Sequence, residues 1–396
     1  MGRLAQLGRH AAAAWEVPRD LLLGRYPPFV TGGPLPAGHV PVFCFHGLEP
    51  VSFERKLRHL SDNGYVTLSA DEYFELLTGA RPAPARAVVL TFDDARATVR
   101  SVGLPLMRRY GLRGLVFVIP GRTSSRPGPL PPTLDDVSAG RASVPDLLSR
   151  EDGPEAFLSW EELSDMATSD VFDFGSHSLS HARVHTSPRV ETFMHPGLRS
   201  GFGPLDAPLV HTPEGDRLGP QVPLGTPLLQ HQPRLSDALR FYEDAEGRRA
   251  CVERVAAEGE DFFRRRDWER VLRATLGRRT LEGRYETPAE HEAAVLRELR
   301  EARRQIEARI QRPALDLCYP WHVAGPTARR AAREIGHRSA YCGKGPAGPV
   351  SLPGSDPHAV ARIGEDYVEL LPGRGRRRLL DVLQRKWTRR LGEAFP

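Results

Sequence analysis

Cysteine is scarce: Cys44, Cys251, Cys318 and Cys342 are the four in 396 residues, and no two fall at CxxC spacing. That excludes a zinc-ribbon or dithiol motif. Three of the four lie in apolar, strand-like runs, so buried free thiols are expected. Long apolar runs are missing as well. Between Met1 and Arg25, the residues Leu4, Leu7, Trp15 and Leu21 to Leu23 are interrupted by Arg3, Arg9, Glu16, Arg19 and Asp20. This excludes a secretion signal or membrane span there and makes a cytoplasmic protein the expectation. A large excess of one charge is also lacking. The net charge is +5, and no recognised nucleic-acid module accompanies the arginines, so no nucleic acid is expected as partner.

What is present centres on Thr91-Phe92-Asp93-Asp94, which closes an apolar run beginning at Ala87. Val88 to Phe92 is β-branched and apolar, as in a strand buried on both faces, and places Asp93 and Asp94 at its C-terminal end. In α/β barrels that rim carries the chemistry. Adjacent side chains at a strand end diverge, so one carboxylate can hold a metal while the other takes a proton from water. A second run, Val171 to Phe174, reads as a strand. Gly175 would permit a sharp exit, and His177-Ser178-Leu179-Ser180-His181 follows. In a helical turn two imidazoles four residues apart face one side and can grip one ion. One carboxylate and two imidazoles leave coordination positions open, as a catalytic site requires. Alone, Asp-Asp after a strand is often a helix cap, and HxxxH can be accidental among fourteen histidines. Both at strand ends are far more specific.

These motifs resemble those of the polysaccharide deacetylase family, carbohydrate esterase family 4, with its NodB homology domain. Thr91 to Asp94 matches the first motif and His177 to His181 the second, H-[ST]-x-x-H. Val40 to Gly47, with Phe45-His46, resembles the opening strand of the subgroup that begins with a "YH" pair, and Phe53 to Leu77 its next helix, strand and helix. Leu158 to Leu163 resembles the segment before the second motif, and Cys318-Tyr319-Pro320-Trp321 the third motif. The resemblance covers roughly residues 40 to 120, 157 to 185 and 296 to 365. It implies an irregular seven-stranded (β/α) barrel, Asp93 as general base, and Asp94, His177 and His181 as metal ligands. It further implies water attack on an N-acetyl carbonyl, with the backbone N–H of Trp321 facing the oxyanion.

The departures are specific. Cys318 stands where many members carry the Arg that orients the base, and His322 replaces the closing Gly of the third motif, leaving open how Asp93 is held. The late Leu-x-His motif that supplies a general acid is absent: Gly364 to Leu371 reads GEDYVELL. His46, ending the first apolar strand, and His322 are candidates for that acid, against the bland reading of structural histidines. His185, His195, His211 and His231 lie in a Pro- and Gly-rich stretch where solvated loop residues are the default.

The motifs are scattered from Asp93 to Trp321, so no cut separates them. One barrel over 40–372 is expected, with an N-terminal extension over 1–39 and insertions near 121–155 and 186–287. The second springs from the rim beside the ligands and would suit a lid; Leu235 to Leu276 in it reads as helix-like. Helices are predicted over Leu104 to Tyr110, Glu290 to Arg309 and Ala324 to Ile335. Strands are predicted over Gly114 to Ile119, Leu315 to Cys318 and Ser339 to Cys342, a βα alternation that predicts a parallel sheet. The segment 373–396 crowds arginines beside Leu379, Leu380, Leu383, Trp387 and Leu391. As a basic amphipathic helix it would suit peripheral contact with an anionic inner membrane face, the alternative being a helix packed on the barrel.

The expected function is metal-dependent removal of an N-acetyl group from a sugar or sugar-containing precursor, the substrate being an N-acylated sugar or glycoside. A cytoplasmic setting disfavours bulk chitin or peptidoglycan. Zinc is the default ion, while cobalt, nickel or iron suit the same donors. Two alternatives remain: a deformylase or amidase acting on a lipid-linked sugar or non-sugar amide, and a catalytically silent carbohydrate-binding protein.

Overall fold

The computed structural model describes residues 26–394, except 152, 154, 202–204, 206, 219–220, 278–280 and 344–349. Most of the expected N-terminal extension therefore lies outside the described residues. Its end packs on the barrel, with Phe29 and Val30 buried.

Parallel strands run in the order Val40–Phe45, Ala87–Phe92, Gly114–Val118, Phe172–Ser176, Asp316–Cys318 and Ser339–Cys342. A broken strand joins the last to the first: Val360–Ala361 pairs with Ser339–Cys342, and Ile363–Gly364 pairs with Val40–Phe45. Counting 360–364 as one, seven positions form a nearly closed α/β barrel. The strands read as continuous apolar runs because both faces are covered. Alternation by two sorts their side chains. Val40, Val42, Ala87, Val89, Leu115, Phe117, Cys318, Tyr341 and Val360 make one cluster, with Tyr73 and Leu76 from the Ala70–Leu77 helix. Phe43, Phe45, Val88, Leu90 and Phe92 join a second layer with Phe53, Leu57, Met107 and Leu163 from the flanking helices. Full burial of each such side chain contributes roughly 1.5–3 kcal/mol. The first row, continued upward by two, reaches Thr91, Asp93 and Arg362, so the fold points these groups at the barrel mouth.

Two expectations are corrected here. Gly175 does not turn the chain. It lies inside the Phe172–Ser176 strand, where a Cβ would come within 2.7 Å of the Asp316 carbonyl oxygen and 2.8 Å of the Phe117 ring. The insertion after the second motif is not a Pro/Gly loop followed by helices alone. Arg183–Phe193, Leu209–Thr212, Gly215–Leu218 and Pro227–Pro233 form a four-stranded sheet, and Phe241–Glu243 pairs with Gly283–Tyr285 around the helices Ala245–Ala256 and Trp268–Leu276. The insertion is tied to the barrel where it returns: the Arg234 N–H donates to Ala182 O at 2.9 Å and the Gly325 N–H to Leu235 O at 2.8 Å. The earlier insertion is braced by Glu151, whose carboxylate accepts from the Thr98 N–H and hydroxyl at 3.0 and 2.7 Å. The helix Leu379–Ala394 docks on the barrel through Lys386 to Asp366 and Arg385 to Glu369. Among the described residues no helix is long and apolar enough to cross a membrane.

Candidate active site

Asp93 follows its strand with its N–H on Phe45 O at 2.9 Å, and Asp94 then turns the chain at φ 68°. Both carboxylates are buried, as are His177 and His181. The ring of His177 is fixed by Nδ1 donating to Cys318 O at 2.9 Å, which leaves Nε2 as the free lone pair, 3.4 Å from Asp94 Oδ1. His181 Nε2 lies 3.7 Å from the same oxygen. Its pKa is pushed down to about 2, first by burial and then by His177, so it is neutral as a ligand must be. A tetrahedral ion with bonds of about 2.1 Å has donor-to-donor edges of about 3.4 Å. Asp94 Oδ1 is buried and accepts no hydrogen bond among the described residues. The three donors thus fit one divalent ion.

HSLSH is not a helical turn, contrary to the expectation from its spacing. Ser178 (φ 60°) and His181 (φ 55°) fold a loop that brings the two imidazoles together, with Ser178 Oγ accepting from the His181 N–H at 3.1 Å. Of the eight described non-glycine residues with positive φ, six are Asp94, Ala95, Ser178, His181, Trp321 and His322. Backbone strain is concentrated at this mouth, as expected where a scaffold over-determines a functional geometry.

The holder of Asp93 is Arg362, which sequence reasoning missed. From the break in the closing strand its guanidinium grips Asp93 at both oxygens, Nη1 to Oδ1 at 2.6 Å and Nη2 to Oδ2 at 2.8 Å, and donates to Thr91 Oγ1 at 3.1 Å. Cys318, at the position of the motif-three Arg, has its Sγ only 3.0 Å from Arg362 Nη2. Arginines at 318 and 362 would compete for one space, and the small thiol leaves it to Arg362. Burial raises the pKa of Asp93, but Arg362 and then His177 outweigh it and hold the carboxyl well below its usual range. Asp94, without an arginine partner, is pushed up by burial. Two adjacent carboxylates are thereby given unlike characters. A signal for Arg362 does exist in the sequence: it is the one charge within Val360-Ala361-Arg362-Ile363.

The candidate acids separate clearly. His46 is 55% exposed, with Nε2 3.9 Å from Asp93 Oδ2. It lines a cleft of about 250 Å³ with Cys44, His322, Arg362 and the segment Ile363 to Asp366. His322 lines the same cleft, but its Nδ1 accepts from Arg362 at 3.4 Å, and desolvation followed by that guanidinium lowers its pKa to about 4. Trp321 packs its ring 4.9 Å from that of His181 and under Arg183 at 5.0 Å. Its backbone N–H makes no hydrogen bond among the described residues. Of the four histidines expected as solvated loop residues, His185 is instead buried on Glu243, while His211 pairs with Asp216, His231 bonds Leu229 O and His195 stacks near Trp268.

The barrel mouth thus holds a buried carboxylate–bis-imidazole set that could bind a metal ion, beside a second carboxylate locked by an arginine. Residues 80–194, which hold both motifs, match the family model for polysaccharide deacetylase. YxkH of Bacillus subtilis (strain 168), a protein assigned the name polysaccharide deacetylase, is 27% identical over 88 residues, or 20% of this chain and 32% of that protein. The match thus spans about a third of that relative's length. Among solved structures, the de-N-acetylase from Aggregatibacter actinomycetemcomitans overlays with a TM-score of 0.48 at 14% identity, over 82% of this chain and 94% of that one. The BpsB deacetylase domain from Bordetella bronchiseptica gives 0.49 at 16% identity, over 84% and 98%.

Proposed function

We propose that this chain hydrolyses an N-acetyl group on a sugar or sugar-containing precursor, with a divalent ion held by Asp94, His177 and His181. The observation that carries the reading is the pairing of donors 3.4 and 3.7 Å from one orphaned carboxylate oxygen with a neighbouring carboxylate locked as an anion by Arg362. When bound, the ion, zinc by default and cobalt, nickel or iron otherwise, supplies Lewis acidity that acidifies water and polarises the acyl carbonyl.

The chain's own residues do the rest. Asp93 accepts the proton of the attacking water: Oδ1 keeps a lone pair beyond its bond to Arg362, and Oδ2, which also accepts from the Cys44 thiol at 3.4 Å, faces both His177 and His46 at 3.9 Å. The free N–H of Trp321, held in its turn at φ 58° beside His181, faces charge that develops on the carbonyl oxygen. His46 gives a proton to the leaving amine, because it opens on the cleft while His322 is kept neutral by its surroundings and by Arg362. His46→Gln should therefore lower turnover by about 10²-fold or more. His322→Gln should lower it far less. The reverse pattern would transfer the role to His322.

The substrate class is tested by acyl release from a panel of N-acetyl and N-formyl sugars: free, nucleotide-linked, and lipid-linked in anionic vesicles, with a simple N-acetyl amine as the non-sugar member. Release that needs added metal and stops on chelation is the expected result. Preference for formyl or for the non-sugar amide would move the reading to a deformylase or amidase, and silence with metal bound would move it to a binding role. The vesicle arm also tests peripheral placement on an anionic membrane face, which is supported by exposed Leu380 in the first turn of the C-terminal helix, just after Arg378. No association with the vesicles would remove that placement.

A further inference from the structure

The two histidine ligands are not equally secured. His177 is held at both ends, its N–H on Val118 O at 2.8 Å and its Nδ1 on Cys318 O at 2.9 Å. His181 has a buried Nδ1 with no hydrogen-bond partner among the described residues. A ligating imidazole is ordinarily oriented by a hydrogen bond from its other nitrogen. Lacking one, His181 depends on the course of its backbone, which runs through two left-handed residues at 178 and 181, a conformation that costs of order 1 kcal/mol or more for each non-glycine residue. Such a loop keeps its shape only if something outside it holds the middle.

We propose that Glu298 is the residue that does so, a positioning residue for the metal-ligand loop. From the helix Pro288–Ile310 its carboxylate accepts from the Ser180 N–H at 3.1 Å and from the Ser180 hydroxyl at 2.8 Å, directly before His181. The helix is a firm base. Thr287 and Glu290 form its capping box, and His291, Val295, Leu299, Ala302 and Ile306 are buried along one face at helical spacing. The opposite side of the loop is fixed by the Gly121 N–H donating to Leu179 O at 2.8 Å. That approach admits only glycine, since a Cβ at 121 would lie 2.6 Å from the same oxygen. The loop is thus clamped between Gly121 and Glu298, and the clamp sets where the His181 ring points. Glutamate serves here because the Ser180 N–H and hydroxyl each meet a separate carboxylate oxygen.

The inference rests on the metal reading of Asp94, His177 and His181, and it is tested on metal-stripped full-length protein by zinc titration and by the visible spectrum of the cobalt-loaded form. Glu298→Ala should bind zinc about 10- to 100-fold more weakly, the usual effect of losing an outer partner of a ligand, and should alter the cobalt spectrum while the apo-protein melts normally. Glu298→Gln, which retains an acceptor and gains a donor that the hydroxyl can accept, should restore affinity to near wild type. Ser180→Ala, losing only the hydroxyl bond, should fall between. Wild-type affinity and spectrum in Glu298→Ala would overturn the proposal. Should that variant fail to fold, wild-type affinity in Ser180→Ala would overturn it instead. Failure of the metal reading looks different: wild type would not bind zinc, or His177→Ala would bind it normally.

Discussion

Asp93→Asn is expected to lower the rate of acyl release by about 10²- to 10⁴-fold while zinc content stays at the wild-type level. The physical basis is the division of labour between two adjacent carboxylates. Asp93 lies outside the donor set of Asp94, His177 and His181, and Arg362 keeps it anionic and ready to take a proton. An amide of the same shape keeps an acceptor for Arg362 but has no basic lone pair to offer water. Asp94→Asn should show the opposite signature, loss of metal together with activity, because Asp94 Oδ1 is the donor shared by both histidines. Steady-state acetate release with metal analysis on the two variants separates these outcomes. Equal metal loss in both would mean that Asp93 is a ligand and not the base.

Arg362→Leu should damage the protein twice over. Its guanidinium and the Asp93 carboxylate are 1% and 2% exposed, and removing one partner of a buried ion pair costs about 3–5 kcal/mol because the other charge is left uncompensated. In the wild type the Asp93 pKa is depressed, so its stabilising contribution is fully present above the unfolded value of about 3.9 and is lost as pH falls through the folded pKa below that. Without Arg362 the burial effect dominates and raises the pKa instead. The deficit of the variant should then be largest near neutral pH and shrink on acidification, as the carboxyl neutralises. The acid limb of its pH–rate profile should move upward, because the base is protonated at higher pH. Urea denaturation and kcat/KM measured across pH check both parts, and an unmoved acid limb would show that Arg362 does not tune the base. Arg362→Lys should recover only part of the loss, since an ammonium cannot reproduce the two-pronged grip.

The legible parts of this molecule are those encoded locally. The apolar run 87–92 and the run before His177 identify buried strands, since continuous β-branched sequence has no other stable place in an α/β protein. The helices expected over 104–110 and 290–309 form as 104–110 and 288–310, and two motifs at strand ends pointed to a carboxylate and two imidazoles that the fold brings together. Spacing misled where tertiary forces override it: His177 and His181 meet through a strained loop, and the Pro- and Gly-rich stretch after them builds a sheet whose strands pair across many residues.

By itself, then, the sequence determined most of the barrel strands and the two motifs, because each depends on residues near one another in the chain. The tertiary structure alone decided what orients them. Arg362 reaches Asp93 across 269 positions and Glu298 reaches Ser180 across 118, and neither contact exists until the closing strand and the long helix are in place. A single arginine in a short apolar run, or one glutamate among many on a helix, gains its meaning only from the buried, water-poor mouth into which the fold turns it.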